Sequence, residues 1–197
     1  AIGSYDERAR LLNSLTWQRL AECTHPPEVR AAFAEEAVVW VEPPQEGVGY
    51  TARLLPASVP IERANPDKAC PKLGVGHLEW SAGGRYLATR NDNMPRALWV
   101  WDGETLLLHS LLLQVGHVTA AAWHPSQQVL ALATGGSKIF MWSPRGCRTA
   151  PLPAAHELNV HGVRWNRKGD ALLLLDRERF CVCFVNLQQD PCVRIPS

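Results

Sequence analysis

Two series of aromatic residues recur along the chain with nearly one period, and this recurrence restricts the fold more than any other feature. Trp80, Trp123 and Trp165 stand 43 and then 42 residues apart. A second series, Trp101, Trp142 and Phe184, is spaced by 41 and then 42. Each first-series Trp is followed by a short apolar run: Tyr86-Leu87-Ala88-Thr89, then Val129-Leu130-Ala131-Leu132-Ala133-Thr134, then Ala171-Leu172-Leu173-Leu174-Leu175. Another run carries the second series: Leu98-Trp99-Val100-Trp101-Asp102, Ile139-Phe140-Met141-Trp142-Ser143 and Phe180-Cys181-Val182-Cys183-Phe184. Weaker fourth runs follow at 106–113 and 147–152. The runs are rich in β-branched and aromatic residues and are separated by turn formers such as Ala82-Gly83-Gly84, Thr134-Gly135-Gly136-Ser137 and Arg167-Lys168-Gly169-Asp170.

Four short antiparallel strands in each unit of about 40–45 residues are the mark of a WD40-type β-propeller blade. Trp101-Asp102 stands where the name-giving dipeptide belongs, and it drifts to Trp142-Ser143 and Phe184-Val185 in the later units. The expected fold is therefore all-β, a partial propeller of about three and a half to four blades. Residues 73–114, 115–156 and 157–197 each read as one blade. The first thirteen residues overlay Ala131–Ser143 with Leu12 at the Trp142 position, so 1–25 reads as a partial blade that opens at its second strand. Residues 26–72 read as a divergent blade or an insertion, with strands expected at Val38-Val39-Trp40-Val41 and over 50–61. Over 26–37 a short helix and an irregular insertion are equally good readings. Because an open ring leaves blade faces and strand edges uncovered, and the sequence lacks an initiator Met, it reads as the C-terminal part of a longer propeller protein.

Composition narrows the function classes. Lys and Arg number 20 against 19 Asp and Glu, a net charge of +1, which argues against a polybasic nucleic-acid arm or an acidic tail. No apolar run approaches the ~20 residues that span a bilayer, and the first residues show no secretory signal pattern. Six cysteines (Cys23, Cys70, Cys147, Cys181, Cys183, Cys192) in an apolar chain of this size read as free thiols in a reducing compartment.

The stretch Arg85-Tyr86-Leu87-Ala88-Thr89-Arg90-Asn91-Asp92-Asn93-Met94-Pro95-Arg96-Ala97-Leu98-Trp99-Val100-Trp101-Asp102 is more specific than the repeat. It strongly resembles the centrosomal and spindle-pole family known as WD repeat-containing protein eight, or the p-seventy-three-antisense WD-repeat protein. Ala1-Ile2-Gly3-Ser4-Tyr5-Asp6, Arg63-Ala64-Asn65-Pro66, and Ala133-Thr134-Gly135-Gly136-Ser137-Lys138 followed by Trp142-Ser143-Pro144 resemble the same family in the same order. The resemblance spans nearly the whole chain and is weakest over 26–60. It implies a non-catalytic scaffold at centrosomes, centriolar satellites and spindle poles, in the cytoplasm and cytoskeleton. It further implies a coiled-coil partner of the afadin- and alpha-actinin-binding type, in fungi also a kinesin-14, and roles in microtubule minus-end anchoring, spindle organisation and cilium assembly. No binding residue of the family is carried over by it.

Candidate sites are few. Asn91, Asp92, Asn93, Met94 and Pro95 fall between two strands and have two readings: turn chemistry plus packing, which accounts for the Asn and Asp residues, or a contact surface for a protein partner, which suits an exposed Met beside Pro. Trp80, Trp101, Trp123, Trp142, Trp165 and Phe184 are expected to pack between blades. His77 and His117 follow Gly as in typical repeats, yet stand only three and six residues before their Trp, closer than the usual His–Ser/Thr–Asp–Trp network places them; of the two, His117 stays a candidate for it. Cys181 and Cys183, with His156 or His161, lack the second ligand pair that zinc requires. Glu35 and Glu36 read as a solvated face. Arg63, Lys68, Lys72, Arg85, Arg90 and Arg96 read as dispersed solubilising charge, with attraction to an acidic partner or a microtubule surface as the alternative. No nucleophile elbow, HExxH or phosphate loop is present, so neither a catalytic residue nor a cofactor or metal is expected. The rival readings are an adaptor of another complex, such as a ubiquitin-ligase substrate receptor, and a propeller hydrolase. The hydrolase would need acidic residues or histidines on the innermost strands, which are mainly small and apolar.

Overall fold

The computed structural model describes residues 1–31, 37–45, 49–65, 67, 69–152 and 158–187. Glu35, Glu36, His156 and Cys192, along with Pro66 and Lys68, lie outside the described residues. Among the described residues the regular structure is mostly strands joined by turns, with a 3-10 turn at Ala82–Gly84. The chain is all-β and built from antiparallel propeller sheets, as the repeat pattern requires. It divides into two compact units: 1–39 with 53–80 and 85–113, and 40–52 with 81–84 and 114–197.

In the first unit, β1 (Ile2–Gly3), β2 (Arg8–Leu12) and β3 (Arg19–Thr24) form a three-stranded meander. β4 (Glu28–Val29) pairs with β7 (Ala57–Ser58), so extended chain occupies part of the stretch for which a helix was one reading. β5 (Val38–Val41) and β6 (Thr51–Arg53) form at the two points where the chain passes between units. β8 (Val75–Trp80), β9 (Tyr86–Asn91), β10 (Ala97–Asp102) and β11 (Leu108–Leu113) then run in consecutive antiparallel order. β10 is buried along its whole length, which explains why its sequence, Ala-Leu-Trp-Val-Trp-Asp, is nearly continuously apolar instead of alternating.

The second unit holds β12 (Ala120–Trp123), β13 (Leu130–Ala133), β14 (Lys138–Ser143) and β15 (Gly146–Pro151) in one sheet. β16 (Gly162–Trp165), β17 (Ala171–Leu175) and β18 (Phe180–Phe184) form the next. These two sheets stack face to face. Ala131, Ala133, Ile139 and Met141 on one meet Val163, Leu172, Leu174, Trp165, Cys181 and Cys183 on the other. Trp165 donates its ring N–H to the Ala122 carbonyl at 3.1 Å, and the His124 ring stands edge-on to it. His124 Nε2 bonds the Gly169 carbonyl at 3.0 Å, while its Nδ1 accepts from the Ser126 and Gln127 amides. Gly169 has φ 79°, and a Cβ there would collide with that imidazole, so glycine is required on both counts.

Strand register corrects one of the anchors. Trp80 pairs with Leu87 and Leu87 with Trp101; Trp123 pairs with Leu130 and Leu130 with Trp142. In the last sheet Trp165 pairs with Leu172, but Leu172 pairs with Cys183. Cys183, not Phe184, therefore occupies the second-series position, 41 residues after Trp142. The cause is the turn: five residues separate the paired Ala133 and Ile139, whereas four separate Leu175 and Phe180. One residue fewer reverses the faces of the whole strand. Cys181 and Cys183 turn inward, and Phe184 is left 86% exposed on the opposite face.

Candidate interaction surface

The polar centre of the first unit is a buried relay between β1–β3 and β8–β11. Trp101 on β10 donates its ring N–H to Thr89 Oγ1 on β9 at 2.8 Å. Thr89 Oγ1 lies 2.8 Å from His25 Nε2, and His25 Nδ1 lies 2.8 Å from the Glu7 carbonyl. A carbonyl can only accept, so His25 carries its proton on Nδ1, and Nε2 accepts from the threonine hydroxyl. Burial pushes the His25 imidazole down to about 4, which keeps it neutral. Its ring also meets the Trp99 and Trp101 rings edge-on, at 5.1 and 5.8 Å between centroids.

This is the His–Thr–Trp arrangement sought at His77 and His117, built from a different histidine. His25 follows β3 directly, where a repeat would place it just before β8. The long excursion through 26–74 separates it from Trp80 in sequence, so no spacing rule could reach it. His77 is held near 4 by burial, with Arg90 adding to the effect, and takes no part. In the next repeat His117 is exposed and Leu132 stands where Thr89 stands, so the relay is not repeated there.

The 91–95 loop belongs to the same buried region. Glu7, at φ 65°, accepts from Asn91 Nδ2 at 3.1 Å and from Asn93 Nδ2 at 2.7 Å. Asn91 Oδ1 caps the Asn93 amide, and the Met94 and Ala97 amides close the turn on Asn91 and Met94 carbonyls. Met94, expected at an exposed tip, is 1% exposed because the excursion lies against it, with the Glu62 amide bonded to the Asn93 carbonyl. Asp92 and Pro95 remain half-buried. Asp92 pairs with Arg90 at 2.9 Å, beside Gly76, where any Cβ would strike the carboxylate.

Several of the basic residues are neutralised in place. Arg85 bonds Asp102 at 2.7 Å and also pairs with Glu104; Arg96 bonds Glu62 at 2.6 Å. Asp102 further accepts from the Glu104 and Thr105 amides, so the aspartate of the Trp-Asp pair organises its own turn. The described cysteines are unbridged. Burial drives the Cys23 thiol up to about 12, and that of Cys183 up to about 11, with the Cys181 sulfur 3.8 Å away. Among the described residues no group of three or more His, Cys, Asp or Glu is placed to hold a metal, and no helix is long and apolar enough to cross a membrane.

Two exposed large apolar residues, Leu15 and Trp17, lie at the tip of the β2–β3 hairpin. Asn13 Oδ1 accepts from the Leu15 and Thr16 amides at 2.9 and 3.0 Å, and the Asn13 carbonyl accepts from Trp17 at 2.9 Å. This fixes a rigid tip with Trp17 at φ 57°, an uncommon conformation for so bulky a residue. Leu15 is 89% and Trp17 72% exposed, and no residue from Asn13 to Gln18 is charged. A large ring held outward on a preorganised turn loses little entropy on contact, which suits a protein interface.

The mouse WD repeat-containing protein WRAP73 is 35% identical over 212 aligned residues, covering 96% of this chain. The chain belongs to the WD-repeat proteins. It spans 45% of that relative's length, somewhat under half. No protein-family profile matches the sequence. Among solved structures, the β-propeller domain of Myceliophteria thermophila Cps50 (Swd1) superposes with a TM-score of 0.57 at 12% identity, covering 93% of this chain and 46% of that one. At that identity the likeness establishes the propeller fold of this WD-repeat chain and no more. The family resemblance carried by 85–102 points to the same kind of relative as the full-chain comparison.

Proposed function

We propose that this WD-repeat chain is part of a non-catalytic scaffold that holds protein partners at the centrosome and spindle pole, in support of microtubule minus-end anchoring, spindle organisation and cilium assembly. The supporting observation is the similarity to WRAP73 over nearly the whole chain, together with the family-like stretch at 85–102. By the same resemblance the partners are a coiled-coil protein of the afadin- and alpha-actinin-binding type and, in fungi, a kinesin-14.

The physical logic of a scaffold agrees with what the sheets offer. Their polar side chains are spent on internal relays and ion pairs, which favour rigidity, and the β2–β3 tip keeps two large apolar groups outside. Proximity labelling in dividing cells, with the tag on the full-length protein, tests the reading. Labelling of pericentriolar proteins and the coiled-coil partner is expected, and Leu15→Ser with Trp17→Ser is expected to weaken it. Labelling dominated by ubiquitin-ligase subunits, with none at spindle poles, would overturn it.

A further inference from the structure

We infer that the β2–β3 tip is a docking knob, and that its occupant is a partner protein that brings an apolar pocket rimmed by carboxylates. The inference rests on the scaffold reading and adds the partner's chemistry to it. The repeat supplies a control, because the β10–β11 turn has the same construction. Asp102 caps the Glu104 and Thr105 amides there, as Asn13 caps those of Leu15 and Thr16. The Asp102 carbonyl accepts from Leu106 and its amide donates to the Leu107 carbonyl, both at 2.9 Å; Asn13 makes the same two bonds with Trp17 and Gln18. Leu106 has φ 60° where Trp17 has φ 57°, and both hairpins carry a register shift just before the turn.

Positions 15 and 17 therefore need no large apolar side chain to hold the turn. At the matching places of the β10–β11 turn, Glu104 gives its carboxylate to Arg85 and Leu106 is half-buried. A glycine would meet the positive φ without strain. The β2–β3 tip instead holds a Leu and a Trp there, both mostly exposed, and Leu20 at the bulge adds a third apolar group at 58%. Single exposed apolar residues are ordinary on a protein surface. Three within the six residues Leu15 to Leu20, one of them a Trp on a rigid turn, form a patch.

Shape and charge say what meets this patch. The groups stand on a hairpin turn, which is convex, so the concavity belongs to the partner. Along the strands below the tip, Arg8, Arg10 and Arg19 all draw on the Glu22 carboxylate, at 3.0, 3.4 and 3.3 Å, and Arg10 also pairs with Asp6. Three guanidinium groups thus share two carboxylates, and Arg8 and Arg19 keep more than half of their side chains in solvent. An uncharged centre from Asn13 to Gln18 beside a net cationic flank matches an apolar pocket bordered by Asp or Glu. A bilayer is the poorer match. Anionic lipid is held by clusters of about four to eight cations, and Asp6 and Glu22 would be pressed against its headgroups.

Photocrosslinking of the full-length protein in dividing cells tests the assignment, with Leu15 replaced by p-benzoylphenylalanine and the attached peptides sequenced by mass spectrometry. One recurring partner segment is expected, apolar at the attachment point and with Asp and Glu outnumbering Lys and Arg around it. Trp17→Gly, which keeps the turn and removes the ring, should cut the yield at least about tenfold. Arg19→Glu should cut it about threefold or more, whereas Arg145→Glu, exposed on the β14–β15 turn, should leave it unchanged. A basic or neutral segment at the attachment point would overturn the inference, as would a yield that Trp17→Gly does not lower. Attachment to phospholipid, to a second copy or to another stretch of the same chain rejects it too, and so does no attachment at all. Spindle-pole labelling that persists without this crosslink defeats the docking inference alone. An acidic pocket captured from a protein away from the pole defeats the spindle-pole location and keeps the docking site.

Discussion

The sheets β8–β11 and β12–β15 repeat one another in sequence, yet they hold their second-series tryptophan by different physics. Trp101 is fixed by polar groups, donating to Thr89, which bonds His25, which bonds the Glu7 carbonyl. Trp142 pairs with Leu130 and meets Trp123 edge-on at 5.8 Å between centroids, in a setting of apolar and aromatic groups. Both rings are buried to a similar degree, so the comparison separates anchoring from burial. A directional relay fixes a single packing geometry at the risk of leaving buried groups unpaired. Apolar packing tolerates more change at the same site.

Removing the centre of the relay should show this difference most strongly. Thr89→Val orphans the Trp101 N–H and the His25 Nε2 together, and should cost about 2–4 kcal/mol in denaturant unfolding. A loss below about 1 kcal/mol would mean that the relay is incidental.

Acid should find the same weakness. The folded-state value of His25 lies near 4 and the unfolded value near 6.5, so the unfolded chain binds the extra proton first. Stability is therefore independent of this group above about pH 6.5 and falls as pH drops towards 4, by up to about 3 kcal/mol, then levels off below both values. His25→Phe should reduce that slope in a pH series of melts; an unchanged slope would remove His25 as its source.

On the apolar side, Leu132→Thr restores the hydroxyl without the histidine behind it. It should destabilise by about 1–3 kcal/mol instead of recreating the relay, since a buried hydroxyl gains nothing without a second partner. Gly169→Ala should cost more than about 1 kcal/mol through its positive φ and the His124 ring, a loss visible in the melting temperature. The smallest effect belongs to the exposed tip. Leu15→Ser with Trp17→Ser should change stability by no more than about 0.5 kcal/mol, which separates a contact surface from a structural one.

The sequence made much of this legible, and its omissions have physical reasons. The tryptophan spacing located β8–β10, β12–β14 and β16–β17, because aromatic residues recur at the same register position from sheet to sheet and leave a periodic record. It did not reveal the one-residue-shorter turn before β18, since Phe-Cys-Val-Cys-Phe is apolar on both faces and either register satisfies the pattern. Only pairing with β17 selects which side is inward. Met94 read as a loop tip because turn residues surround it; burial comes from chain more than thirty residues earlier.

What the sequence determined by itself is local and periodic: strand positions, turn chemistry, the blade as a repeating unit and the WD-repeat kinship. Tertiary structure decided which histidine serves the relay, which face of β18 is covered, and whether a loop is a tip or a core. Those outcomes depend on contacts between residues far apart in the chain, where no period survives an insertion such as 26–74. Long-range hydrogen-bond partners are chosen by proximity in the folded sheets, and sequence spacing carries no record of that proximity.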